Sequence, residues 1–85
     1  MTAFSPEVRE LLTVIRDALD LPYAATPDGS RERQELRNDN AIRVMSTVSY
    51  LLDASHPDIA SAATVLREML DKNPVTYATK AGEGQ

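Results

Sequence analysis

The chain has 85 residues, 42% of them hydrophobic and 26% charged, which are the proportions of one small globular domain and argue against wholesale disorder and against a membrane protein. Nine Lys and Arg against thirteen Asp and Glu give a net charge of -4, which disfavours a general nucleic-acid coat, because nonspecific affinity for phosphates needs clustered cations. Cysteine is absent, so disulfides, thiol chemistry and thiolate metal sites are excluded together.

The first predicted element opens at Ser5, a capping hydroxyl, with Pro6 at the first helical position and Glu7 beside the positive end of the helix dipole. Val8, Leu11, Leu12, Ile15, Ala18 and Leu19 recur at the helical period, and polar residues fill the other side, which predicts an amphipathic helix over about 6–20. Residues 21–30 carry Pro22, Pro27 and the Asp28-Gly29 pair and read as an ordered loop. Residues 31–53 contain no Gly or Pro and predict one long helix, with Ala41, Val44, Met45, Val48, Leu51 and Leu52 as its core stripe. Ser55, Pro57 and Asp58 predict the start of a third helix, over about 56–72. Ile59, Ala62, Ala63, Leu66, Met69 and Leu70 form its apolar face, and Asn73-Pro74 ends it. The expected fold is all-α: a small three-helix antiparallel bundle with a long central helix, one domain over 1–74, and a flexible C-terminal tail over 75–85.

The first and third helices also share a pattern at an offset of fifty-one positions. Thr13-Val14-Ile15-Arg16-Asp17-Ala18-Leu19-Asp20 aligns with Thr64-Val65-Leu66-Arg67-Glu68-Met69-Leu70-Asp71, and Tyr23-Ala24-Ala25-Thr26 echoes Tyr77-Ala78-Thr79 downstream. Two accounts stand side by side: duplication of a helix-plus-loop unit, or the shared period of any two amphipathic helices.

Catalytic candidates are few. The single histidine, His56, precedes Pro57 at the start of the third helix, where a solvated turn residue is expected. Asp17 with Asp20 and Glu68 with Asp71 have the spacing to bridge a divalent ion. Asp20, Asp71 and Glu68 also have a cation four residues away, in Arg16–Asp20, Arg67–Asp71 and Glu68–Lys72, and Asp17 adjoins Arg16, so solvated ion pairs are expected rather than a metal site. Gly29, Gly82 and Gly84 form no phosphate-cradling loop. No catalytic residue, metal or cofactor is assigned.

The informative feature is the polar half of the long helix. Arg33, Gln34, Arg37 and Asn40 lie on the side where the core stripe would continue, as a solvated overhang beyond two shorter helices or as a recognition surface. Paired guanidiniums one turn apart can clamp a carboxylate or phosphate, with Gln34 and Asn40 adding amide donors. Leu36, Arg43 and Tyr50 recur every seven residues on a second side, with Thr47 between them, a stripe suited to a partner helix or to the flanking helix of the bundle itself. The expected function is therefore a non-enzymatic helical protein-interaction module, a small regulator or adaptor acting through the central helix, with self-association into a homodimer as one form. Burial is marginal in so short a chain, and association would add to it. The alternative is a nucleic-acid-binding module using Arg31, Arg33, Arg37 and Arg43, against which Glu32, Glu35 and Asp39 weigh. Residues 1–6 lack a basic region and the apolar run 41–52 is interrupted by Arg43, so no signal peptide or membrane span is expected and the default address is cytoplasmic.

Overall fold

A computed structural model describes residues 4–80. The described residues form three helices: α1 (Pro6–Leu19), α2 (Pro27–Asp53) and α3 (Ile59–Lys72). The Ser5 hydroxyl accepts from the Val8 N–H at 3.3 Å, which caps α1 as the sequence indicates. α2 begins four residues before Arg31. The Thr26 hydroxyl accepts from the Gly29 N–H at 3.0 Å and Pro27 takes the first helical position, so Asp28-Gly29 lies in the opening turn rather than in a loop. From there α2 runs 27 residues without a break, about 40 Å at 1.5 Å per residue.

The third start is later than the sequence suggests. Asp58, not Ser55, is the cap: its carboxylate accepts from the Ser61 N–H and hydroxyl, both at 3.0 Å, and Pro57 lies outside the helix. These two hydrogen bonds favour the ionised form, the backbone one more strongly, and hold Asp58 below its ordinary value of 3.8.

Short connections at opposite ends make α2 antiparallel to both neighbours, and α1 and α3 parallel to each other. Ser5 and Glu7 at the start of α1 therefore share a cleft with Pro57 and Ile59 at the start of α3. The core is built chiefly between these two helices. Val14 and Ala18 of α1 are fully buried, as are Leu66 and Ala63 of α3 to within a few per cent, and Ala62 and Ala63 are small enough to let the backbones approach. From α2 only Val44 joins the buried cluster, with Val48 and Leu51 half-buried against it. Met45, Leu52 and Leu12, read from periodicity as core, are exposed instead, because the neighbours cover a narrower arc than the apolar residues span.

The expected pairs within single helices are also replaced. Arg67 reaches across to α1, to Asp17 at 3.2 Å and Glu10 at 3.6 Å, while Arg16 contacts Asp17 at 3.4 Å. Arg67 lies at the α1–α3 seam, where two carboxylates of the parallel neighbour are within reach.

Residues 75–80, read from sequence as the start of a loose tail, are docked. They form a strap against the α1–α2 loop: Ala25 donates its N–H to the Ala78 carbonyl at 2.8 Å and Lys80 donates to the Tyr23 carbonyl at 2.9 Å. The Tyr77 ring is buried and its hydroxyl donates to the Pro22 carbonyl at 2.6 Å. The two Tyr-Ala-Thr echoes thus pair side by side. Gly29 lies beneath them, and a β-carbon there would meet the Ala24 and Tyr77 β-carbons at 3.1 and 3.4 Å. Residues 81–85, the rest of the expected tail, lie outside the described residues.

Candidate partner-binding surface

The polar half of α2 has a specific structural task. The last carbonyls of a helix have no partner in their own ladder. At the end of α1 they meet side-chain donors from α2, spaced along one side. The Asn40 amide donates to the Ala18 carbonyl at 2.9 Å, Arg37 Nε donates to the Leu19 carbonyl at 3.2 Å, and Arg33 Nε donates to the Leu21 carbonyl at 3.3 Å. Arg37 also places positive charge at the negative end of the α1 dipole. Arginines stand where leucines would continue the stripe because α2 there faces carbonyl oxygens, and oxygens require N–H donors rather than methyl groups.

These residues are accordingly not assembled into one outward clamp. Asn40 is 1% exposed, and its amide is committed to Ala18. Arg33 is half-buried, and its guanidinium stacks over the exposed Tyr23 ring at 4.7 Å. Gln34 points to solvent. Arg31 pairs with Asp28 at 3.8 Å and Arg43 lies elsewhere, so the four arginines of the α2 segment do not converge on one patch.

Leu36, Arg43 and Tyr50 take a different position. Arg43 lines a cleft with Asn40 of α2 and Met69 and Asn73 at the end of α3. Tyr50 lines a shallow, mostly apolar groove with Thr47, Ala62 and Val65. Arg43 and Tyr50 of the seven-residue stripe thus border α3, and Leu36 is half-buried. Tyr50 and Val65 remain about half exposed at the rim, 51% and 59%.

The surface that periodicity missed is on the far side of α2. Ile42, Met45 and Leu52 are 65%, 66% and 79% exposed. With Ser49 they follow the spacing i, i+3, i+7, i+10 on the exposed side of α2, and Ile42 at one end also borders the cleft that Arg43 shares with Met69 and Asn73. Ile42 was the available signal: at 100° per residue it lies roughly 60° beyond Met45, the outer edge of the expected core stripe.

Among the described residues no group of three or more His, Cys, Asp or Glu side chains gathers, and His56 is exposed. No described helix is long and apolar enough to cross a membrane. Compared with known proteins, the chain matches no family model, no curated protein and no solved structure.

Proposed function

We propose that the protein is a non-catalytic helical interaction module, a regulator or adaptor that engages a protein partner through α2. The observation that carries this is the strip of Ile42, Met45 and Leu52: three large apolar side chains, each about two-thirds or more exposed, on one side of a single helix. Isolated exposed apolar residues are ordinary on any surface, but a strip at helical spacing has the form that a partner helix covers. The sequence inventory of one histidine and no cysteine fits a binding role better than a catalytic one. Affinity capture with wild-type and Met45→Lys baits tests the proposal. A partner held by wild type and by Glu68→Lys, but lost from Met45→Lys, is the expected result. Capture that survives Met45→Lys overturns the assignment to this strip.

A further inference from the structure

We infer that the cleft between the middle of α2 and the end of α3 binds a free α-amino acid with an aliphatic side chain, held by its ammonium and carboxylate groups together. The cleft measures about 330 Å³ and is lined by Asp39, Asn40, Ile42, Arg43, Met69 and Asn73. That volume is at the small end of ligand pockets, roughly 300–1,000 Å³, and suits a small metabolite. The site is separate from the strip that carries the interaction-module proposal, apart from the shared Ile42.

Two locked amides give the cleft its chemistry. Asn40 donates through Nδ2 to the Ala18 carbonyl at 2.9 Å, and Asn73 donates through Nδ2 to the Met69 carbonyl at 2.9 Å. Each bond engages the donor end of the side chain and fixes its orientation. The acceptor end, Oδ1, takes no hydrogen bond from the described residues in either case. No fully buried side-chain oxygen or nitrogen among the described residues lacks a partner, so Asn40 Oδ1 keeps some open surface although Asn40 as a whole is 1% exposed. That surface lies on the wall of this cleft. An otherwise buried, fixed acceptor of this kind is satisfied by a donor that enters the cleft. The Asp39 carboxylate lines the same space, and the end of α3 adds the negative pole of its dipole. Two amide oxygens, a carboxylate and a helix C-terminus suit a primary ammonium, which brings three N–H donors and a positive charge.

Arg43 supplies the opposite charge. It stands one turn from Asp39 on the same cleft, yet among the described residues neither side chain is in an ion pair. An α-amino acid spans the two, its carboxylate on the planar guanidinium and its ammonium on the oxygens, and neutralises both charges at once. Ile42 and Met69 form the apolar part of the wall, where an aliphatic side chain gains more than a polar one.

Amide chemical shifts of the full chain, titrated with L-leucine to tens of millimolar at fixed pH and ionic strength, test this. Saturable shifts are expected at Asn40, Arg43 and Asn73. Isoamylamine and isocaproate, which are leucine without its carboxylate and without its ammonium, are each expected to bind at least about tenfold more weakly. Arg43→Gln is expected to erase the advantage of leucine over isoamylamine, and Asp39→Asn its advantage over isocaproate. Both residues are exposed, so the helices are expected to be unchanged. A response to leucine that never saturates, isoamylamine binding as tightly as leucine (the mark of a docked lysine side chain instead of a free amino acid), or leucine binding indifferent to both substitutions each overturn the inference. None of these outcomes bears on the interaction-module proposal, which stands or falls with capture by Met45→Lys.

Discussion

Asn40 and Ala18 are joined by a buried hydrogen bond between two helices, the Asn40 amide donating to the Ala18 carbonyl at 2.9 Å with Asn40 1% exposed. The bond ties the end of α1 to the middle of α2, at a point where neither backbone can satisfy that oxygen. Asn40→Leu keeps similar volume but removes the donor, and is expected to lower the unfolding free energy by about 1–3 kcal/mol through the stranded carbonyl. Gln34→Ala, one and a half turns earlier and exposed, is expected to change it by less than about 0.5 kcal/mol. Urea denaturation of the two variants checks the contrast, and equal midpoints would show that the bond contributes nothing.

Tyr77 closes the strap over the α1–α2 loop through its hydroxyl. Tyr77→Phe retains the buried ring and loses only the bond to the Pro22 carbonyl, so a loss of about 1 kcal/mol is expected. The effect should be local. Hydrogen exchange at the Ala25 and Lys80 amides, which pair loop and strap, should accelerate more than exchange in the middle of α1.

Asp58 gives the stability an acid-side dependence. Its folded-state pKa lies below the ordinary 3.8 because the ionised carboxylate accepts two hydrogen bonds from Ser61. A depressed carboxyl pKa contributes stability that is present above the unfolded value and is lost as pH falls through the folded one. Thermal melting from pH 5 downward should therefore show a decline that Asp58→Asn reduces. A wild-type and variant pair with parallel profiles would show that the cap is not titrating.

Leu66 and Leu12 look alike in the periodic pattern, yet Leu66 is 1% exposed and Leu12 is 45% exposed. Leu66→Ala opens a cavity between α1 and α3 and is expected to cost about 2–5 kcal/mol. Leu12→Ala removes side-chain atoms that are already half in water, so less than about 1 kcal/mol is expected. Chemical denaturation of each distinguishes them.

The sequence by itself determined the three helices and their order. Capping residues, prolines at first turns and apolar periodicity act within a few residues, so Ser5-Pro6, the helical spacing of α1 and the Asn73 stop could be read without neighbours. Local rules also misplaced what was locally ambiguous. Pro27-Asp28-Gly29 suits a turn or a helix start, and the Thr26 cap together with the strap packed on Gly29 favours the helix. The site depended on tertiary structure throughout. Arg33, Arg37 and Asn40 stood out as donors without an acceptor in view, and the acceptors are carbonyls of α1 and its following loop, twelve to twenty-two residues away along the chain. In the same way, periodicity gave α2 a broad apolar arc, but only the placement of two neighbouring helices decided which part is core and which part, at Ile42, Met45 and Leu52, faces solvent. The physical reason is that a helix fixes the angular positions of its own side chains, whereas burial depends on where other elements stand around it.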